Sequence, residues 1–167
     1  MNDGFRVEPL AAAHKRKMFS SGVPALDVYL RERAMQDIKR RVSNCYVALS
    51  DQGEIAGYYT LAASSLPLDD LPPEQAKRLP RYGHLPAALI GRLVVDERFR
   101  GIGLGGALIF DSIVRAARAE PAIFALVVDS KNDKAASFYE RYGFARLASR
   151  PASLFLPMAS AVGLLDR

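Results

Sequence analysis

A glycine-rich loop between an apolar strand and a helix is the feature that most restricts how this chain can fold. The stretch "RFRGIGLGGAL" begins at Arg98, follows an apolar run over residues 87–95 and opens a helical pattern that reaches about residue 119. Glycines at such a junction let backbone N–H groups approach an anion, and the helix dipole places positive charge there. The order predicts a phosphate-binding loop, although a purely structural turn is also possible, so a second motif is needed.

The loop is compatible with two phosphate-binding motifs. Gly101, Gly103 and Gly106 spell G-x-G-x-x-G, the dinucleotide-binding fingerprint, and Asp129 lies at the end of the next strand-like run. That fingerprint needs its first glycine directly at the strand end, whereas five residues separate the strand from the loop, and only about 60 residues follow it. A nicotinamide-binding doubly wound fold is therefore disfavoured. Arg100 begins the alternative, R-x-x-G-x-G, in which the arginine adds a charge-assisted contact to a pyrophosphate.

Hydrophobic periodicity predicts an α+β fold. Leu26, Leu30, Ala34 and Ile38 recur at helical spacing and predict a helix over residues 25–41. The other predicted elements are strands over 5–10, 44–50, 54–64, 87–95 and 123–128, helices over 104–119 and 133–142, and one or two strands near "SLFLPM". The proline-rich stretch 66–86 predicts a surface loop with one helical turn. We expect a mixed sheet in a single domain spanning residues 1–167.

The charge balance favours a polyanionic partner. The formal net charge is +5, and few aromatic residues interleave with the basic clusters. That pattern suits contacts to phosphates better than stacking on bases. The residues that we select as candidate nucleic-acid contacts are Lys39, Arg40, Arg41, Lys77, Arg78 and Arg81. A solvated basic face is the alternative interpretation of each.

Cysteine and histidine usage indicates neither a disulfide nor a metal site. The single cysteine, Cys45, lies in a strand-like run, which predicts a packed thiol. His14 and His84 have no other His or Cys at ligand spacing, so we expect no metal. There is no apolar run of transmembrane length and no signal-like N-terminus, so we expect a cytoplasmic protein without membrane association.

A second motif lies about thirty residues after the glycine loop. Asn132, Ala135, Tyr139, Gly143 and Phe144 spell N-x-x-A-x-x-x-Y-x-x-x-G-F. Together with "LVVDERFRGIGLGG", this run resembles the GNAT superfamily of acyl-coenzyme A-dependent N-acetyltransferases over roughly residues 90–144. The resemblance implies a GNAT fold, in which a mixed, mostly antiparallel central sheet is flanked by helices.

The GNAT resemblance implies acetyl-coenzyme A (acetyl-CoA) as cofactor and assigns roles to particular residues. The backbone of the strand is expected to pair with the pantetheine arm at Leu93, Val94 and Val95. The residues implied to cradle the pyrophosphate are Arg100, Gly101, Gly103, Gly105 and Gly106. Asn132 is implied to contact the cofactor arm and Tyr139 to lie near the thioester sulfur. Simple core packing of Tyr139 beside Phe138 and Phe144 is the alternative.

The chemistry of acetyl transfer agrees with these roles. A phenol of pKa about 10 can donate a proton to a thiolate whose parent pKa is about 8.5, so Tyr139 suits the leaving group. A lysine amine of pKa about 10.4 needs a base, whereas an α-amine of about 7.7–8.0 is already partly neutral at pH 7. The strand carries Arg92 and no carboxylate before Asp96. Arg92 therefore suits a phosphate-bearing acceptor, and a solvated or salt-bridged Arg92 is the alternative.

Longer stretches extend the resemblance over nearly the whole chain. The runs "LDVYLRERAMQDIKRRVSNCYVAL", "GYYTLAASSLPL", "LIGRLVVD" and "LFLPM" are similar to the GNAT toxins of bacterial type II toxin–antitoxin modules. This resemblance implies acetylation of the α-amine of the amino acid on charged tRNA, a block of translation, a ribbon–helix–helix antitoxin and a homodimer. Two alternatives remain open: acetylation of a small-molecule amine or protein N-terminus, and a binding module that keeps the coenzyme A pocket without chemistry.

Overall fold

The computed structural model describes residues 4–165, and its elements follow the predicted order. The strands are β1 Arg6–Pro9, β2 Asn44–Leu49, β3 Ile55–Pro67, β4 His84–Val95, β5 Ala125–Asp129, β6 Ala145–Arg146 and β7 Ser153–Pro157. The helices are α1 Pro24–Val28, α2 Ala34–Lys39, α3 Pro73–Ala76, α4 Leu104–Ala117, α5 Asp133–Glu140 and α6 Met158–Leu165. No helix in this part of the chain is both long and apolar enough to cross a membrane.

The helix predicted over residues 25–41 is present but contains a π-helical turn. This turn covers Tyr29–Arg33 and separates α1 from α2. Pro24 occupies the first turn of α1, where its missing N–H has no intrahelical acceptor to lose. Because a π-helical turn is wider than an α-helical one, it interrupts the 3.6-residue period. The apolar spacing predicted the extent of the helix, and the turn within it was not predicted.

Within residues 4–165, seven strands form a sheet of order β1-β2-β3-β4-β5-β7-β6. The pairs β1–β2, β2–β3, β5–β7 and β6–β7 are antiparallel, and β4–β5 is parallel. The β4–β5 ladder runs from Ala87↔Ala125 to Ile90↔Val128, and β4 itself continues to Val95. The predicted mixed, mostly antiparallel sheet is confirmed.

The contacts divide the chain into two compact units, each built from two segments. Of the described residues, one unit contains those up to Ala62 together with Gly91–Ser112. Its buried side chains include a cluster with Tyr29, Tyr58 and Val94 and another with Tyr59, Leu104 and Leu108. The other unit contains Ala63–Ile90 and the described residues from Ile113 onward. Its core includes Leu66, Leu85, Val127, Leu147 and Phe155.

Two parts of the chain contain more regular structure than the sequence predicted. In the proline-rich stretch, β3 extends to Pro67, a 3₁₀ turn covers Leu68–Asp70, and α3 follows. Leu66, Leu71 and Leu85 are buried there, so apolar burial overrides the polar, proline-rich composition. In the tail, β7 confirms the strand predicted near "SLFLPM", whereas helix α6 directly after it was missed.

Candidate active site

The glycine loop has the conformation of an anion cradle. Gly101 has φ +79° and Gly103 has φ +85°, a region that residues with a Cβ rarely adopt. A Cβ built on either glycine meets no atom within 4 Å, so this side of the loop is open. Helix α4 starts at Leu104, and the first N–H groups of a helix have no intrahelical acceptor. The exposed backbone therefore fits a pyrophosphate.

The strand segment predicted to bind pantetheine uses its side chains for packing. Val94 belongs to the buried cluster that contains Tyr29 and Tyr58. Leu93 and Val95 pack against the cluster that contains Tyr59. Because the side chains alternate between two packed faces, a ligand contact along this segment involves the backbone. The β4–β5 ladder ends at Ile90, before this segment.

A segment that sequence reasoning missed is bonded to the chain just before the glycine loop. The Ser20 N–H donates to Asp96 Oδ2 at 2.9 Å, and the Glu97 N–H donates to the Ser20 carbonyl at 2.9 Å. Arg100 donates from Nη2 to the Ser21 carbonyl. The Arg100 guanidinium thus links this segment to the loop, and its predicted contact with a pyrophosphate stays a prediction.

Asp96 is the buried anchor of this connection. Its side chain is fully buried at the end of β4 and accepts hydrogen bonds from the backbone N–H and the guanidinium of Arg98, as well as from Ser20. Burial alone would raise the pKa of the Asp96 carboxyl, but these hydrogen bonds outweigh it and hold the pKa below its usual range. Ser20 and Asp96 are 76 residues apart in the sequence, so no local sequence pattern could predict this contact.

The second motif builds helix α5 from both ends. Asn132 is the N-cap, with its Oδ1 accepting the Ala135 N–H at 2.9 Å. Gly143 has φ +97°, and its N–H donates to the Glu140 carbonyl at 3.1 Å, the geometry of a C-terminal cap. The structure thus gives Asn132 a capping role, and its contact with a cofactor arm stays a prediction.

Tyr139 combines a packed ring with a reachable hydroxyl. It is 8% exposed, and its ring centroid lies 5.4 Å from that of Phe138 and 5.7 Å from that of Phe144. Burial raises the pKa of Tyr139 to about 12. Within the described residues, every side-chain polar atom that is fully buried has a hydrogen-bond partner. The Tyr139 hydroxyl has no such partner there, so it is not fully buried and its O–H remains available as a donor. The ring of Tyr139 therefore packs in the core, as the alternative interpretation expected, while its hydroxyl stays accessible.

Arg92 stacks on an aromatic ring instead of pairing with a carboxylate. Its Cζ lies 3.5 Å from the ring centroid of Tyr29, whose hydroxyl donates to Asp37 Oδ2 at 2.7 Å. Within residues 4–165 no acid forms an ion pair with Arg92, so the salt-bridged alternative is not what the structure contains. Sequence reasoning missed Tyr29, because the helical apolar spacing does not include it.

The two predicted basic groups lie on the surface of different compact units. Lys39, Arg40 and Arg41 are exposed where α2 ends, and none of them is ion-paired within the described residues. Lys77, Arg78 and Arg81 are exposed around the end of α3, and Lys77 pairs with Glu74 at 3.0 Å. Lys77 and Arg81 also line a cavity of about 280 Å³. Nucleic-acid contacts of both groups stay predictions.

Cys45 is a packed thiol, as its strand-like surroundings predicted. It is 2% exposed within the cluster that contains Tyr29 and Tyr58. Burial raises the pKa of the Cys45 thiol to about 12, so it stays uncharged at neutral pH. Such a thiol is a poor nucleophile.

A comparison with known protein families identifies the class of enzyme as a GNAT acetyltransferase. The acetyltransferase (GNAT) domain family matches residues 20–159, and the chain belongs to this family. The chain is 36% identical over 149 residues to the tRNA-acetylating toxin of Mycobacterium tuberculosis, with 88% of each protein covered.

Solved structures are similar over nearly the whole chain. AtaT complexed with acetyl-methionyl-tRNA superposes with a TM-score of 0.88 at 27% identity, covering 98% of this chain and 99% of AtaT. AtaTR bound with acetyl-CoA superposes with a TM-score of 0.83 at 26% identity, covering 99% of this chain and 100% of the other. These similarities confirm the GNAT fold and the resemblance to GNAT toxins, and they exclude the nicotinamide-dependent alternative.

Proposed function

We propose that this protein is a toxin that transfers acetyl from acetyl-CoA to the α-amine of the amino acid on charged tRNA and thereby blocks translation. The observation that carries the proposal is Arg92, an arginine without an acidic partner one residue before the predicted cofactor-binding segment of β4. Such a cation suits an acceptor that carries phosphate. The similarity to a tRNA-acetylating toxin and to tRNA-complexed AtaT supports the same acceptor.

The cofactor of this reaction is acetyl-CoA, which supplies an activated acetyl thioester. The open backbone of Gly101 and Gly103 and the positive end of α4 bind its pyrophosphate. Leu93 to Val95 offer backbone N–H and C=O groups to the amides of the pantetheine arm. Binding thus depends on backbone groups that the positive φ angles keep in place.

The acceptor amine needs little help to lose its proton. An α-amine of pKa about 7.7–8.0 is partly neutral at pH 7, unlike a lysine side chain. Strand β4 carries no carboxylate, and Asp96 beyond its end is buried and bonded to Ser20 and Arg98. A strand without a carboxylate therefore suits an α-amine better than a lysine side chain.

Tyr139 assists departure of the thiolate. Since burial raises the pKa of Tyr139 to about 12, its hydroxyl stays protonated at neutral pH and would be available to donate to the sulfur of a bound thioester. A phenol of that pKa favours donation of a hydrogen bond over complete proton transfer to a thiolate whose parent pKa is about 8.5. Stabilisation of the developing negative charge on sulfur is its role.

The predicted partners follow from the same proposal. We infer that exposed cations of the two basic groups contact tRNA phosphates, since acceptor stems are recognised largely by shape and backbone. The resemblance to GNAT toxins supports a ribbon–helix–helix antitoxin, a homodimer and action in the cytoplasm, where charged tRNA occurs.

The direct test is to incubate the protein with acetyl-CoA and total charged tRNA. We expect N-acetylated amino acid on the tRNA, identified by mass spectrometry after nuclease digestion, and none with deacylated tRNA plus free amino acids. Acetylated peptides or small amines without acetylated aminoacyl-tRNA would instead support the first alternative. Binding of acetyl-CoA without turnover on any acceptor would support the binding module.

A further inference from the structure

Arg92 has the surroundings of a receptor for an anion. It is partly buried on β4, and the Tyr29 ring covers one face of its guanidinium at 3.5 Å. A guanidinium has five N–H donors, and the ring accepts none of them in a conventional hydrogen bond. A partly buried cation without a counter-ion is costly. The donors that the ring leaves free therefore favour an anionic ligand.

Within the described residues no acid forms an ion pair with Arg92, and two groups close to it are neutral. Tyr58 donates its hydroxyl to the Leu26 carbonyl at 2.7 Å, and Cys45 is a buried thiol. Burial raises the pKa of Tyr58 and of Cys45, so both remain neutral at physiological pH. Two acids on the neighbouring helical run are already bonded locally, Asp37 to Tyr29 and Asp27 to Ser21.

Tyr29 is held in place by its own hydroxyl and by the helix geometry. The hydroxyl donates to Asp37 Oδ2 at 2.7 Å, which restricts rotation of the ring and engages that carboxylate. Tyr29 is also the first residue of the π-helical turn, and such turns occur frequently at functional sites. The ring is 5% exposed, so packing fixes it against Arg92.

We propose that Tyr29 is a positioning residue that presents the Arg92 guanidinium to a phosphate of the tRNA acceptor. The inference rests on the proposed function and deepens it. The ring, held by its packing, orients the planar cation and covers one of its two faces. As a consequence, the site favours an amine whose molecule carries phosphate over a free amine.

The test measures binding of deacylated tRNA over a series of salt concentrations, which needs no turnover. We expect Arg92→Ala to weaken binding about tenfold and to reduce the slope of log K against log salt by about 0.7–0.9, the value of one phosphate contact. Tyr29→Leu removes the ring and should weaken binding about fivefold. Tyr29→Phe keeps the ring face and should stay within about twofold of the parent.

Two further variants separate positioning from charge and from folding. Arg92→Lys keeps the charge without a planar stack, so we expect about threefold weaker binding, and this variant leaves Tyr29 intact if Tyr29→Leu fails to fold. Arg6→Ala is the matched control, because Arg6 is exposed on β1 and pairs with Glu8 at 3.4 Å. It should bind tRNA like the parent.

Clear outcomes would overturn the inference. If Arg92→Lys and Tyr29→Leu bind tRNA with the parent affinity and slope, positioning by the ring is wrong. If Arg92→Ala weakens acetyl-CoA binding in calorimetry and leaves tRNA binding unchanged, the phosphate belongs to the cofactor, and the inference is equally wrong. A parent protein that binds tRNA through Arg92 yet acetylates no aminoacyl-tRNA would contradict the proposed function alone.

Discussion

The residues that we propose for acetyl transfer differ in character between the glycine loop and helix α5. Gly101 and Gly103 are exposed and contribute backbone groups in a conformation that side chains disfavour. Tyr139 is buried among aromatic rings and contributes one polar atom. Changes in the loop should therefore alter cofactor affinity, whereas a change at Tyr139 should alter the rate. Four experiments test this division.

The largest effect is expected for Tyr139→Phe. Loss of one hydrogen-bond donor to a developing negative charge costs roughly 10²–10³-fold in rate, while the ring that packs on Phe138 and Phe144 is retained. We expect kcat to fall by that factor, with the acetyl-CoA Kd and the Tm close to those of the parent. Steady-state kinetics and calorimetry measure the two separately. A variant that acetylates at the parent rate would show that Tyr139 only packs.

The next effect concerns the anchor of the loop, Asp96. Asp96→Asn removes the charge that accepts from Arg98 and Ser20, so we expect a loss of about 1–3 kcal/mol in the free energy of unfolding at neutral pH.

The sign of the pH dependence tests the same residue. Because the folded pKa of Asp96 is lowered, its contribution is present above the unfolded value and is lost as the pH falls through the folded pKa. The free energy of unfolding, measured by urea denaturation at several pH values between 3 and 7, should vary less with pH for Asp96→Asn than for the parent. If the free energy of unfolding changes equally with pH in the two proteins, Asp96 does not have this role.

A smaller effect is expected for Gly103→Ala. A Cβ in the left-handed region costs about 1–2 kcal/mol, so the loop leaves its binding conformation and the acetyl-CoA Kd weakens about tenfold. Gly53→Ala is the matched control, since Gly53 has φ +78° in the β2–β3 turn and nothing within 4 Å of an added Cβ. It should lose similar stability and keep the parent Kd. If both variants bind acetyl-CoA equally well, the loop conformation is not what binding requires.

The smallest effect lies on the alkaline side. Burial raises the folded pKa of Tyr139 to about 12, above the usual value near 10, so its contribution is complete below pH 10 and is lost as the pH rises towards 12. Tyr139→Phe should flatten the alkaline limb of stability against pH, measured by urea denaturation. Cys45→Ala should do the same from a lower pH, because burial raises the pKa of Cys45 from 9.0 to about 12.

Local patterns predicted most of the elements. Helical spacing of Leu26, Leu30, Ala34 and Ile38 predicted the extent of the first helical run, which the structure confirms from Pro24 to Lys39. Helix α6 was missed, because a short apolar tail after a strand has no distinctive period. The π-helical turn was missed as well, since the apolar spacing through it, with Leu30 inside the turn, is also what a continuous α-helix would show.

Some features of the candidate site could also be predicted from local sequence patterns, and others could not. The glycine loop and the Asn132-to-Phe144 run were visible because each requires particular residues at short, fixed spacings. The Ser20 contact with Asp96 and the Tyr29 contact with Arg92 join residues that are distant in the chain. Their sequences alone contain no spacing rule that would pair them.

The sequence by itself determined the strand–loop–helix unit, the glycines with positive φ and the motif around Tyr139, because backbone sterics and hydrophobic period act over a few residues. Tertiary structure alone decided that Arg92 stacks on Tyr29 without a carboxylate and that burial raises the pKa of Tyr139. Solvation and charge at a side chain depend on which distant faces meet around it. That is why the chemistry of these two residues emerges only in the folded chain.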